Sequence, residues 1–204
     1  MRPLPRLFAV TDHAVRRKHH RGATAAALAS VGPAVAVLAR DPEASGSELT
    51  EFAAALLHHV RPYEAALFVT GRADVAAGLG AHGLHLGATD LTPRDARILL
   101  PHAWIGRSVH TAVEGATAVE EGADFLVAGT VYTTASHPGR PAAGLGLIET
   151  LASLGRPVIA FGGITQENVW AVKHAGAYGV AAIQALWHAS RPAQTALQML
   201  EPWM

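Results

Sequence analysis

The sequence predicts an α/β protein, a single closed (β/α)8 barrel with a parallel eight-stranded core, occupying residues 1–204 as one domain. Three observations predict it. The length suits one compact barrel that buries a substantial core. Short β-rich apolar runs recur at fairly even spacing, and an Ala/Leu-rich stretch of helical spacing follows each of them. Such alternation is the mark of repeated βα units.

Taken in order, the strands are expected at residues 7–10, 34–38, 65–69, 83–86, 104–108, 124–128, 157–160 and 179–183. Helices are expected at residues 47–60, 92–99, 111–121 and 165–175, with Ser47, Thr92, Thr111 and Thr165 as N-caps. Pro93 follows Thr92 at the first helical position, and Glu114 follows Thr111 at the capping-box spacing. The same alternation also suits a doubly wound open sheet. No GxGxxG opens the first helix, however, which weakens the dinucleotide-binding version of that fold.

Composition narrows the function classes. Lys+Arg and Asp+Glu both total 16, so no overall field gathers nucleic acid or an anionic membrane, and a small-molecule partner is expected. Cysteine is absent, which removes disulfides, thiolate-zinc sites and cysteine nucleophiles. The opening MRPLPRLFAV has too short an apolar run for a signal peptide, and no stretch reaches ~18 apolar residues. A soluble, cytoplasmic protein is the expectation, and a homodimer is compatible with it.

In a barrel the loops after the strands form the active face. After the seventh strand, Phe161-Gly162-Gly163-Ile164-Thr165 places two residues without side chains before a helix start, where amide N–H groups and the helix dipole suit a phosphate. An ordinary tight turn reads equally well from Gly-Gly alone; the position after strand seven favours phosphate. Ile183 and Gln184 after the eighth strand would complete the clamp. On the fifth strand, period two puts Gly106, Ser108 and His110 on one inward face. A histidine there accepts or donates a proton near neutral pH. The chain holds 12 histidines, so address rather than type singles out His110; His19, His20, His58 and His59 read as solvated, and His82 with His85 as a local turn pair.

These motifs resemble the superfamily of thiamine phosphate synthases and thiazole tautomerases, which are TIM barrels. The likeness spans nearly the whole chain, through Phe8-Ala9-Val10-Thr11-Asp12, Gly83-Leu84-His85-Leu86-Gly87, Ile105-Gly106-Arg107-Ser108-Val109-His110, Gly122-Ala123-Asp124-Phe125, Gly129-Thr130-Val131-Tyr132 and Gly162-Gly163-Ile164-Thr165. It implies a small phosphorylated thiazole as ligand. It also implies that Arg40, Thr70, His85, Thr130, Thr134 and Gly144 line the substrate, beside Ser108 and His110.

The resemblance has two enzymatic branches. A synthase joins a pyrimidine pyrophosphate to thiazole phosphate and needs a Gln-x-Arg-x-Lys strand, an Asn-Asp-Arg strand end and a Thr-x-Thr-Lys loop for pyrophosphate and Mg²⁺. Here the first pattern falls on Ala36, Leu38 and Arg40, the second on Thr70-Gly71-Arg72, and the third on Thr134-Ala135-Ser136-His137. In the first pattern only the cation at Arg40 survives, in the second glycine replaces the metal-binding carboxylate, the third lacks its lysine, and Asp90 remains at the other expected metal position. Because a departing pyrophosphate needs cations or metal aimed at it, the losses point to the tautomerase branch. There His110 would move the proton that aromatises a phosphorylated carboxythiazole, with no cofactor. Arg40 or Arg107 would partner the carboxylate, although period two turns Arg107 away from His110. The alternatives are a surviving synthase, which would use Mg²⁺, and a non-catalytic thiazole-phosphate-binding regulator.

Two further segments carry open readings. The basic run Arg16-Arg17-Lys18-His19-His20-Arg21 reads as a mobile, solvated loop or as a cover over an anionic ligand. Residues 136–144, with His137 and Arg140, read as a flexible lid.

Overall fold

The computed structural model describes residues 2–134 and 142–204. Eight parallel strands close a barrel in sequence order, β1 (Leu7–Val10), β2 (Val35–Ala39), β3 (Ala66–Thr70), β4 (Gly83–Leu86), β5 (Trp104–Val109), β6 (Phe125–Ala128), β7 (Val158–Phe161) and β8 (Gly179–Ala182). The closure pairs Leu7 with Val180 and Ala9 with Ala182. Between the strands run α1 (His13–Arg16), α2 (Arg21–Ala29), α3 (Gly46–Val60), α4 (Ala73–Leu79), α5 (Pro93–Leu99), α6 (Ala112–Glu120), α7 (Leu145–Ala152) and α8 (Val169–His174). After β8 come the short α9 (Gln184–Trp187) and the amphipathic α10 (Pro192–Leu200). No described helix is long and apolar enough to cross a membrane.

The strands read as apolar runs because both of their faces are buried. Outward side chains such as Leu67, Leu84, Leu126 and Val158 pack under the helices with Leu28, Phe52, Leu56, Ile148 and Leu151. Inward side chains form a separate core of Phe8, Val10, Leu38, Phe68, Phe125, Val127 and Ile159. Its centre is three phenylalanines: Phe8 and Phe68 meet edge to face at 5.0 Å between centroids, and Phe68 meets Phe125 at 6.0 Å. The bulk of Phe68 and Phe125 is balanced by glycine at the paired position of the neighbouring strand, Gly83 and Gly106 respectively. A Cβ at Gly83 would stand 2.0 Å from the Phe68 ring, and one at Gly106 would stand 2.2 Å from the Phe125 ring. This aromatic floor fills the barrel, leaving its C-terminal mouth open.

Local chemistry explains the helix starts. Thr92 and Thr111 cap α5 and α6 as expected, accepting from the Asp95 and Glu114 N–H groups. Two expected caps are corrected. Helix α3 opens on Ser45, which forms the full capping box with Glu48 at the required spacing, and Ser47 lies inside the helix. Thr165 does not cap α8, because Asn168 turns its side chain back and accepts the Thr165 N–H, so the helix starts only at Val169. The basic run is also not a free loop. Arg16 bonds Asp41 and Glu48, Lys18 reaches the Trp187 carbonyl, and Arg21 already belongs to α2.

Gly106→Ala should cost ~1–3 kcal/mol in urea denaturation by overpacking the floor, whereas Gly78→Ala, in an open stretch of α4, should stabilise by ~0.5–1 kcal/mol. Equal effects of the two substitutions would contradict this account of the floor.

Candidate active site at the barrel mouth

Above the phenylalanine floor, period two along each strand decides what faces the opening. On β4, one step beyond Gly83 is His85; on β5, one step beyond Gly106 is Ser108, then His110. With Thr70, Arg40 and Asp90 they wall a first chamber of about 560 Å³, whose base is Phe125, Val127 and Ile159. A second chamber, about 820 Å³, is lined by Gly162, Gly163, Ile183, Gln184 and Thr134. The two chambers share Arg40, Thr130 and Phe161. Gly144 lines neither: it is the N-cap of α7, with its N–H on the Val131 carbonyl, which corrects its expected place at the substrate.

The second chamber depends on two glycines. Gly162 and Gly163 have φ of 100° and 66°, and a Cβ on either would collide with Thr130 or Tyr132 of the neighbouring loop. The Val131 and Tyr132 N–H groups bond the Phe161 and Gly162 carbonyls. Among the described residues, the N–H groups of Gly163, Gln184 and Ala185 have no partner. The expected contribution of a helix dipole behind Gly163 is corrected, since α8 begins six residues later; the unpartnered N–H groups belong to the Gly162–Gly163 loop and to the first turn of α9, a disposition that suits an anion. Asn168 sets the geometry of that loop, donating to the Gly163 carbonyl at 2.8 Å while accepting the Thr165 N–H at 2.9 Å. Composition and spacing did not single it out, although an Asn just ahead of an apolar helical stretch is a recognisable pattern.

Arg40 is positioned through its backbone. The buried Thr11 hydroxyl accepts the Arg40 N–H at 2.8 Å and donates to its carbonyl at 2.9 Å. The half-buried guanidinium has no hydrogen bond or ion pair to a described residue, and burial, the largest influence, lowers its pKa. The neighbouring Asp41 is neutralised elsewhere. Burial raises its pKa, but the Glu43 N–H and Arg16 outweigh that and hold it below the usual range, with His13 3.2 Å away. Arg72 is engaged by Asp74. Arg107 turns from His110, as expected, and ties the carbonyls of Ala88 and Leu91, fastening the loop that carries Asp90.

His110 stands at the exposed rim. Its Nδ1 faces the Gly129 carbonyl, which only accepts, so Nδ1 carries a proton and donates there. His85 differs from the expected turn pair with His82. It is an inward strand residue, 8% exposed, while His82 lies before the strand with its Nδ1 accepting the Leu67 N–H. Burial first, then Arg40 and Arg107, push the His85 pKa down from 6.5 to about 4. Its ring lies between two hydroxyls, Nε2 being 2.8 Å from Ser108 Oγ and Nδ1 3.3 Å from Thr70 Oγ1.

No group of three or more potential metal-binding side chains occurs among the described residues. Asp90 is one carboxylate, its Oδ2 accepting the Gly87 N–H at 2.7 Å and both its oxygens 3.1 Å from where a Cβ on Gly71 would stand, at the wall of the first chamber. That donor set fits Mg²⁺ shared with a phosphorylated substrate, because Mg²⁺ commonly takes one or two carboxylates and completes its shell with phosphate and water. Residues 136–141 of the expected lid, including His137 and Arg140, lie outside the described residues.

The depressed His85 pKa makes stability pH-dependent. Above pH 6.5 both folded and unfolded chains hold this ring neutral. As pH falls from 6.5 towards about 4, only the unfolded chain takes the proton, so stability is lost over that window. The loss should be on the order of 3 kcal/mol, read as the difference between wild type and His85→Gln across a pH series of denaturant melts. Parallel curves would contradict a buried neutral ring.

Comparison with known proteins now places the chain. A family model described as thiamine monophosphate synthase matches residues 7–186. A thiamine-phosphate synthase of Thermus thermophilus is 40% identical over 148 residues, 72% of this chain and 71% of that protein. One of Chloroflexus aurantiacus is 36% identical over 89% of this chain and 84% of its own length. A solved thiamine phosphate pyrophosphorylase from Pyrococcus furiosus superposes with a TM-score of 0.82 at 29% identity, covering 97% of this chain and 94% of that one. These relatives overturn the expected tautomerase: they carry the synthase name despite this chain's losses at Leu38 and Gly71. Counting cations by position gave those losses too much weight, because it kept Arg40 in the count without showing that its guanidinium is free of a described partner between the chambers. The chain belongs to the thiamine monophosphate synthase family.

Proposed function

We propose that the protein is a transferase of thiamine biosynthesis that couples a pyrimidine pyrophosphate to a thiazole phosphate, with release of pyrophosphate. The observation that supports this most is the pair of adjoining chambers with Arg40 at their junction. A reaction of two ring substrates needs two adjacent seats, and both volumes lie in the range of small-molecule sites.

In this reading the thiazole phosphate enters the second chamber, its phosphate against the free N–H groups of Gly163, Gln184 and Ala185. The pyrimidine rests in the first chamber on Phe125, Val127 and Ile159, below the polar wall of Thr70, His85 and Ser108. As the rings join, negative charge grows on the departing pyrophosphate, and Arg40 is the guanidinium without a described partner that faces it. Bound Mg²⁺, held by Asp90 and the pyrophosphate, would neutralise part of the same charge. Thr130 lies on the boundary, where it orients either substrate. The rim His110 is oriented by its Nδ1 bond to the Gly129 carbonyl, and Gly162 keeps the phosphate loop in its left-handed turn.

The test is a coupling assay with both substrates and Mg²⁺, following pyrophosphate release. Wild type should turn over, and chelation of Mg²⁺ should suppress it. Arg40→Ala should lower kcat/KM by ~10²-fold or more, the scale of losing a preorganised charge in a transition state. Asn168→Ala should instead raise the KM for thiazole phosphate by ~10-fold with a smaller change in kcat, by releasing the Gly163 loop. No coupling under any metal condition would sink the proposal.

A further inference from the structure

We infer that Thr11, at the exit of β1, is a positioning residue of the transfer: its hydroxyl aims Arg40 at the departing pyrophosphate without touching either substrate. The inference rests on the reading above, in which Arg40 meets that leaving group.

The Arg40 guanidinium has no hydrogen bond or ion pair to a described residue, and Asp12 and Asp41 act on it only across space. Its direction is therefore set from its own backbone outward. That backbone lies beyond the β1–β2 ladder. The last register pair joins Val10 to Leu38, the Thr11 N–H still reaches the Leu38 carbonyl at 3.0 Å, and β2 ends at Ala39. Thr11 spans the remaining gap with its side chain. A hydroxyl has one proton and two lone pairs. Here a lone pair takes the Arg40 N–H at 2.8 Å and the proton goes to the Arg40 carbonyl at 2.9 Å, with the Leu38 carbonyl 3.2 Å away. One oxygen thereby holds the peptide groups on both sides of the Arg40 Cα. Because each residue has only two soft backbone dihedrals, this fixes φ and ψ together, and with them the direction in which the side chain leaves.

Thr11 is fully buried and lines neither chamber, whereas Arg40 lines both, so the hydroxyl acts through the arginine. The next residue is anchored separately. Asp41 accepts the Glu43 N–H at 2.9 Å and is bonded by Arg16, with His13 Nδ1 3.2 Å away. Loss of the Thr11 hydroxyl thus frees one residue and leaves the loop after it attached. Arg40 would then leave the backbone in more than one direction, at a place where a misplacement of about 1 Å slows a reaction strongly.

The experiment compares Thr11→Val, which keeps the shape and loses both bonds, with Thr11→Ser, which restores the hydroxyl. In the coupling assay Thr11→Val should lower kcat ~10-fold while the KM for thiazole phosphate stays within ~2-fold, and Thr11→Ser should remain within ~3-fold of wild type. Calorimetric titration with pyrophosphate and Mg²⁺ should give the same order, with Thr11→Val weakening binding ~5-fold. Placed on Arg40→Ala, Thr11→Val should add less than ~2-fold to either loss, because the hydroxyl acts only through that side chain. Circular dichroism melts check folding. If Thr11→Val does not fold, Thr11→Ala, which leaves room for water at the two backbone groups, takes its place. Wild-type rate and pyrophosphate affinity in the Val or Ala variant, a Ser variant as impaired as they are, or a full further loss on top of Arg40→Ala overturns the inference. A Thr11 effect on pyrophosphate binding without any coupling would defeat the transferase reading alone. Coupling that is unaffected at Thr11 would defeat this inference alone.

Discussion

The barrel interior is closed by Phe8, Phe68 and Phe125, and the rest of the site follows from how those rings fit. Three large inward side chains at one level leave room for nothing larger than glycine at Gly83 and Gly106. Period two then carries the next inward positions on the same two strands, His85 and Ser108, to the level where the barrel opens. A packing constraint thereby determines which polar groups a ligand meets. It also makes the mouth rigid, because both sides of its wall are held by strands buried on each face.

Around that wall, charge is distributed so that, among the described residues, the Arg40 guanidinium is left without a hydrogen bond or ion pair. Asp41, Arg16, Glu48 and His13 form a network that ties α1 to the loop before α3 and engages Asp41, the sequence neighbour of Arg40. Arg72 is taken by Asp74, and Arg107 by backbone carbonyls. Arg40 is left between two chambers, with its backbone pinned by Thr11. A half-buried guanidinium without a described partner is costly to maintain, and an anionic ligand would offset that cost.

The strands were legible because strands buried on both faces appear as uninterrupted apolar runs, and β1 and β4 fall on the expected residues. Thr92 and Thr111 were legible because the capping residue and its partner are three apart in sequence. Ser47 was chosen over Ser45 because both are serines near the same helix start, and only Ser45 has Glu48 three residues on. The inward face of β5 was readable from period two, but the pairing of its Ser108 with His85 crosses 23 residues and depends on strand register. The division into two chambers was not legible, since it arises where the loop at Thr130 packs against Gly162. The choice of enzymatic branch failed for a related reason. Residue types at aligned positions record which cations are missing, and they do not record which remaining cation is unpaired.

The central claim is that two ligands occupy adjoining seats at once. Titrating thiazole phosphate into the protein, alone and then saturated with an unreactive pyrimidine pyrophosphate analogue and Mg²⁺, tests it most directly. The account predicts one site for each ligand and no competition between them, with thiazole-phosphate affinity retained or improved in the ternary complex. Mutual exclusion of the two ligands would contradict it.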